Sequence, residues 1–87
     1  MITIHKYFLS DDGIILTLYE GYQILSVGTQ NGRIYVWVKV DTKASLCKVQ
    51  LRVYGTGWDL SELPLDATFI GTVFHDLFVY HIWFTRV

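Results

Sequence analysis

The sequence predicts an all-β domain of about seven antiparallel strands, in a small sandwich or barrel of hairpins. Two observations support this fold class. Apolar residues recur with a period of two through most of the chain. Turn-forming residues separate the apolar segments at intervals of roughly eight to twelve residues. A chain of 87 residues is long enough for only one hydrophobic core, so residues 1–87 are expected to form a single β domain.

The clearest alternation occurs in two segments, Arg33–Val40 and Cys47–Tyr54. In each segment every second residue is apolar, which places the apolar side chains on one face of a strand. The predicted core face of the first segment consists of Ile34, Val36, Val38 and Val40. The predicted core face of the second consists of Cys47, Val49, Leu51 and Val53.

Turn-forming residues mark the ends of the strands. Asn31-Gly32 is the preferred pair for a two-residue type I′ turn, because both positions need a positive φ, so it predicts a tight hairpin. Asp11-Asp12-Gly13 and His75-Asp76 indicate further turns, and Pro64 limits any helix in the segment before it. The predicted strands are about Ile2–Phe8, Ile14–Tyr19, Tyr22–Thr29, Arg33–Asp41, Leu46–Tyr54, Ala67–Phe74 and Leu77–Thr85.

Composition and charge exclude several classes of protein. Hydrophobic residues make up 52% of the chain, which is too apolar for a disordered protein. Seven basic and eight acidic residues give a net charge of -1 with no basic run, which does not favour duplex nucleic acid as a partner. Cys47 is the only cysteine, and no apolar run approaches the roughly 20 residues of a membrane helix. We expect a soluble, cytoplasmic protein without an intrachain disulfide or membrane segment.

The last predicted strand is apolar on both faces. Phe78, Tyr80, Ile82 and Phe84 form one face, and Leu77, Val79, His81 and Trp83 form the other. Either the strand lies centrally and is covered on both sides, or another subunit covers its second face. Because a domain this small buries a modest fraction of its surface, we expect a homo-oligomer, most commonly a dimer. The candidate interface residues are Tyr35, Trp37, Val79, His81 and Trp83, although ordinary sandwich packing explains the tryptophans equally well.

One loop is a candidate ligand site. Gly55-Thr56-Gly57 allows close approach of a ligand to the backbone, but it lacks the helix and further glycines of a phosphate-binding fingerprint. A bend with positive φ that ends the strand is the more common explanation of such a segment. An arginine and two aromatic residues flank it, and they suit a planar or phosphorylated ligand through bidentate bonding and stacking. The candidate ligand-binding residues are Arg52, Tyr54, Gly55, Thr56, Gly57 and Trp58.

The sequence offers little for catalysis or metal binding. No serine has a nucleophile-elbow context, and Cys47 lies on a predicted core face, where a cysteine is a small hydrophobe. The acidic residues fall mainly in turns, and the three histidines lie on different elements without metal-ligand spacing. We therefore expect a protein that is not an enzyme and holds no metal or cofactor.

Several short motifs together resemble a family of small proteins encoded by tailed phages and prophages. The matching segments are Ile4–Tyr7, Gly21–Val27, Gln30–Gly32, Trp37, Tyr54–Gly57, Phe69–Thr72 and Val79–Phe84. They are spread from Ile4 to Phe84, so the resemblance extends over almost the whole chain. The turn at His75-Asp76 departs from the family pattern, which has glycine there. The function of that family is unknown, so the resemblance implies a phage accessory protein in the cytoplasm of an infected bacterium. Small noncatalytic phage proteins often counter host defence, which is an analogy of size and context.

Three hypotheses about function follow. In the first, an oligomer sequesters a nucleotide-type immune signal at its subunit interfaces. In the second, the protein inhibits a host defence protein by binding to it directly. In the third, it is a small structural or virion-associated β protein.

Overall fold

A computed structural model describes all 87 residues and contains seven strands and no helix. It therefore has no helix with the length and apolar character needed to cross a membrane. The predicted strands are confirmed, and each end lies within one residue of its expected position. The strands are β1 (Ile2–Leu9), β2 (Ile14–Tyr19), β3 (Gln23–Gln30), β4 (Arg33–Asp41), β5 (Leu46–Gly55), β6 (Thr68–His75) and β7 (Phe78–Arg86).

The strands form two antiparallel sheets that pack face to face as a sandwich. The three-stranded sheet has the order β1-β4-β3, and the four-stranded sheet has the order β2-β5-β7-β6. The domain is thus a sandwich, one of the two architectures that the sequence predicted. Two packed sheets suit a short chain, because each sheet needs to bury only one apolar face.

Two connections are tight hairpins. Gln30 pairs with Arg33 across Asn31-Gly32, whose φ values of 53° and 73° are those that a type I′ turn requires. His75 pairs with Phe78 across a second turn, in which Asp76 has a positive φ. The β1–β2, β2–β3 and β4–β5 connections instead pass from one sheet to the other, and the β5–β6 connection passes over β7.

The turn at Gly13 shows why the first connection changes sheets without a clash. Gly13 has a φ of 88°, and a Cβ atom there would lie 2.7 Å from the carbonyl oxygen of Leu51. Only glycine allows β2 to begin this close to the backbone of β5. In the predicted Asp11-Asp12-Gly13 turn, the glycine is therefore required for two reasons: its positive φ and the close approach of its backbone to β5.

The core lies between the two sheets and has the composition that the alternation predicted. All four predicted core residues of β4 are buried, and on β5 Val49, Leu51 and Val53 are buried, whereas Cys47 is only partly buried at one end. The buried hydrophobic residues are Leu9, Leu16, Leu18, Ile34, Val36, Val38, Val40, Val49, Leu51, Val53, Val73, Tyr80 and Ile82.

Strand β7 lies between β5 and β6, which accounts for much of its apolar character. On its inner face Tyr80 and Ile82 are buried in the core. On its outer face Val79, His81 and Trp83 are half-buried by neighbouring strands and by the loop after β5. The core thus accounts for the apolar inner face, whereas no further layer of the fold covers the outer face, which stays partly exposed.

Candidate ligand-binding site

The outer face of the four-stranded sheet brings distant parts of the sequence together. Arg52 on β5 lies directly opposite Trp83 on β7, and Phe69 on β6 lies on the other side of Trp83. In the next row, His81 lies between Tyr54 and Thr72. The rings of Phe69 and Trp83 are 5.2 Å apart. A cation, aromatic rings and hydroxyl groups therefore share one surface.

The loop that follows β5 covers one end of this surface. The Trp58 backbone N–H donates to the Gly55 carbonyl at 3.0 Å, and the Thr56 N–H donates to the Val79 carbonyl at 3.1 Å. Gly57 has a φ of 88°, which favours glycine. A Cβ atom on Gly55 would lie 2.6 Å from Cε2 of Trp58, so the Trp58 indole packs directly on the glycine backbone. The two glycines are needed for different reasons, one for close packing and one for conformation.

His81 holds this loop to the sheet. Its Nε2 atom forms a 2.8 Å hydrogen bond with the Thr56 hydroxyl, and its Nδ1 atom forms a 3.0 Å hydrogen bond with the Thr72 hydroxyl. A hydroxyl can donate or accept, so either tautomer of the ring satisfies both bonds. His81 therefore positions the Thr56 side chain and is fully engaged within the protein.

Two adjoining clefts open beside the loop. The aromatic cleft has a volume of about 300 Å³ and is lined by Tyr54, Gly55, Thr56, Gly57, Trp58, Leu60, Phe69, His81 and Trp83. The polar cleft has a volume of about 620 Å³ and is lined by Asp12, Gly13, Ile14, Ile15, Gln50, Leu51, Arg52, Val53, Tyr54, Trp58 and Asp59. Tyr54 and Trp58 belong to both clefts and separate them.

Arg52 carries a buried side-chain nitrogen without a partner on this surface. Its Nε atom is buried and has no hydrogen-bond partner. The two ion pairs of the protein are Met1–Asp41 and His75–Asp76, so the guanidinium group has no carboxylate partner. The buried Nε1 of Trp83 also lacks a partner. Partly buried guanidinium groups are normally paired, so Arg52 is a candidate anion-binding group.

The structure brings the six predicted ligand-binding residues together. Five of them line the aromatic cleft, and Arg52 lines the polar cleft next to Tyr54 and Trp58. The sequence did not indicate the contributions of Phe69, Leu60, Asp12 or Asp59. The pairing of Phe69 with Trp83 depends on a register shift between Phe69 and Gly71, and no local pattern predicts such a bulge.

The five predicted interface residues lie on two opposite surfaces. Val79, His81 and Trp83 lie on the outer face of the four-stranded sheet, whereas Tyr35 and Trp37 lie on the outer face of the three-stranded sheet. The rings of Tyr35 and Trp37 are 6.1 Å apart, and the Lys6 ammonium group lies 4.5 Å from the centre of the Tyr35 ring. A single two-fold interface cannot contain all five residues, because isologous contacts use one patch of each subunit.

Strand β1 adds an apolar edge to the three-stranded sheet. Ile2, Ile4 and Phe8 are 66%, 57% and 50% exposed, on the same outer face as Tyr35. The Thr42 N–H donates to the Met1 carbonyl, so Met1 and Thr42 form a hydrogen-bonded pair of the β1–β4 ladder. Such pairs alternate along an antiparallel ladder, so every second residue of β1 directs its N–H and C=O groups away from β4. These residues are Ile2, Ile4, Lys6 and Phe8. Natural proteins usually protect such an edge from pairing with other chains.

Two titrating side chains, Asp59 beside the polar cleft and Cys47 at the far end of β5, have shifted pKa values. Two hydrogen bonds from Ser61, first that of the hydroxyl and then that of the backbone N–H, lower the pKa of the Asp59 carboxyl group. Burial raises the pKa of the Cys47 thiol, which lies outside both clefts. No group of three or more His, Cys, Asp or Glu side chains is arranged to hold a metal ion.

Comparisons with known proteins give one result. No curated protein and no solved structure matches the chain. A family model described as a domain of unknown function (DUF7352) matches residues 1–87, which is the full length of the sequence. The chain therefore belongs to the DUF7352 family.

Proposed function

We propose that this protein is a noncatalytic binding protein that holds a nucleotide-type ligand at the aromatic cleft, with Arg52 paired to a ligand phosphate. The observation that carries this proposal is the Arg52 guanidinium group beside the cleft, whose Nε atom is buried without a partner and which forms no ion pair. A phosphate would supply charge-assisted, bidentate hydrogen bonds to a group that otherwise bears a desolvation cost. An uncharged ligand would leave that cost in place.

The lining of the aromatic cleft supports a nucleobase as the second recognised group. Aromatic surface is provided by Trp58, Trp83 and Phe69. Tyr54 lies at the boundary with the polar cleft. Stacking on such side chains contributes about 1–3 kcal/mol per base and suits any base, because every base has a π face. A volume of about 300 Å³ is at the lower end for small-molecule sites and suits one nucleoside.

The biological role that we propose combines this site with the resemblance of the sequence to phage-encoded proteins. The protein would be a phage accessory protein in the cytoplasm of an infected bacterium. It would counter antiviral defence by sequestering a nucleotide-type immune signal. Sequestration requires tight binding without turnover, and the two adjoining clefts offer aromatic surface and one cation as binding groups.

Calorimetric titration against a panel of cyclic and ADP-ribose-type nucleotides tests this proposal. We expect at least one member to bind, and we expect Arg52→Gln to weaken its binding by about 10- to 100-fold, since hydrogen bonds to a charged group are worth about 1.5–3 kcal/mol. Lys48→Gln is the matched control: it removes a cation from the same face of β5, and Lys48 lines neither cleft. Failure of the folded protein to bind any member of the panel would contradict the proposal.

A direct inhibitor of a host defence protein is the second candidate, favoured by the apolar edge of β1. A strand of another protein would form main-chain hydrogen bonds with this edge and pack on the exposed side chains of Ile2, Ile4 and Phe8. Affinity capture from infected host lysate, with Phe8→Glu as the disrupting variant and Leu65→Glu as the control, tests this function. A specific host protein should be lost with the first variant and retained with the second. Capture of no host protein would count against it.

Self-association is the remaining part of the proposal. The β1 edge and the outer face of the four-stranded sheet are the two surfaces that support a homo-oligomer. A ligand held at a subunit interface would require the second of these, because the clefts lie there. The two surfaces are far apart in the sandwich, so variants on each can distinguish them.

A further inference from the structure

We infer that the ligand extends beyond its phosphate into a second sugar-containing group, which the polar cleft holds while the aromatic cleft holds the nucleobase. The inference rests on the proposed function and names the ligand class more closely. That class is a nucleotide whose phosphate joins a nucleoside to a further sugar, as in a nucleoside diphosphate sugar.

The continuity of the two clefts is the first argument. Tyr54 and Trp58 form a shared boundary, and Arg52 lies two residues before Tyr54 on the same strand face. A ligand with its base among the aromatic rings would cross this boundary at its phosphate. The phosphate would then meet the guanidinium group, and any further part of the ligand would enter the polar cleft.

The size of the polar cleft is the second argument. At about 620 Å³ it is roughly twice as large as the aromatic cleft. Sites for small ligands usually have volumes of about 300–1,000 Å³, so this cleft alone is large enough for a group well beyond a phosphate. A mononucleotide would leave most of it filled with water.

The charges of the polar cleft define the chemistry of the second group. Arg52 is the only cation in its lining, and Asp12 and Asp59 are its two carboxylates. Two carboxylates disfavour a second highly charged anion, whereas they accept hydrogen bonds from hydroxyl groups. The Gln50 amide can donate and accept in the same cleft. Beyond the phosphates that Arg52 would bind, a neutral, hydroxyl-rich sugar fits this combination better than another anionic group or an apolar group.

Ligands that differ by one chemical group test this inference separately from the proposed function. Titration calorimetry with AMP, ADP and ADP-ribose, and with GMP, GDP and GDP-mannose, adds one group at a time to each base. We expect the sugar-bearing member of one series to bind about tenfold more tightly than its diphosphate, because the sugar gains hydrogen bonds in the polar cleft. Asp12→Asn should reduce this difference while leaving the affinity for the diphosphate unchanged.

The control for this variant is Asp11→Asn, which removes the neighbouring exposed carboxylate, a residue outside the polar cleft. Equal affinity for the diphosphate and the sugar-bearing ligand would overturn the inference and leave the proposed function standing. An equal effect of Asp12→Asn on both ligands would also overturn it. Failure of all six ligands and of the wider panel to bind would overturn both.

Discussion

Arg52 and Trp83 lie directly opposite each other on β5 and β7, and each has a buried side-chain nitrogen without a hydrogen-bond partner. Both lie on the outer face of the four-stranded sheet, where Arg52 lines the polar cleft and Trp83 lines the aromatic cleft. A central position with unsatisfied donors is a poor arrangement for stability alone. Under the proposed function, an anion bound in the polar cleft would pair with the Arg52 guanidinium group.

Replacing Arg52 with methionine should therefore separate stability from binding. Methionine keeps much of the aliphatic volume and removes the unpaired charge, so the free energy of unfolding should stay the same or rise. Affinity for a nucleotide ligand should fall by at least about tenfold. Urea denaturation and calorimetry measure the two quantities. A loss of stability of more than about 1 kcal/mol would indicate a structural role for the guanidinium group.

Gly55→Ala should disturb the loop and the aromatic cleft together. The new Cβ atom would lie 2.6 Å from Trp58, so the indole must move away from the glycine backbone. We expect a loss of about 1–3 kcal/mol in the free energy of unfolding and weaker ligand binding. Gly28→Ala is the control, because its Cβ atom would meet Trp37 at 3.6 Å, an ordinary contact. Equal effects of the two substitutions on binding would refute this account of the loop.

Ile82→Ala should be among the most destabilising substitutions of its kind. Ile82 is fully buried between the sheets on the central strand β7, so truncation leaves a cavity that the two sheets cannot easily close. The expected loss is about 2–5 kcal/mol. Ile15→Ala, at a position that is 56% exposed on the edge strand β2, should change the free energy by no more than about 0.5 kcal/mol. Chemical denaturation of both variants checks this comparison.

The Asp59 carboxylate should contribute stability that depends on pH. Its pKa is lowered by the hydrogen bonds from Ser61, so the folded state favours the charged form. This contribution is present above the ordinary pKa of 3.8 and is lost as the pH falls through the lower folded value. Asp59→Asn should therefore lower the thermal midpoint at neutral pH, and the difference from wild type should shrink as the pH falls below the ordinary value of 3.8. A difference that stays constant with pH would contradict this assignment, and Asp66→Asn, an exposed carboxylate outside both clefts, serves as the control.

Self-association through β1 should be sensitive to one charge on its outer face. Light scattering at micromolar concentration should show a species larger than the 10.1 kDa monomer. Ile4→Glu should shift the protein to monomer, because it places a charge among the exposed apolar side chains of the edge. Leu65→Glu, in the loop before β6, should have no effect. A monomeric wild-type protein would refute self-association.

The sequence by itself determined the strands, their core faces and two candidate surfaces. Alternation along β4 and β5 and the Asn31-Gly32 turn are local features, and they depend on the period of a strand and on the φ preferences of single residues. The proximity of Arg52, Tyr54 and Trp58 was also predictable, because all three lie within seven residues of one another.

Only the tertiary structure decided which strands share a sheet and which distant residues meet. It placed Tyr35 and Trp37 on the opposite side of the sandwich from Trp83, and it brought Phe69 and Asp12 to the clefts near Trp58. The physical reason is that β4 and β7 belong to different sheets that share one core, so their outer faces point in opposite directions, and that a register shift in β6 aligns Phe69 with Trp83. Both depend on packing between segments far apart in the chain, which a period of two does not encode.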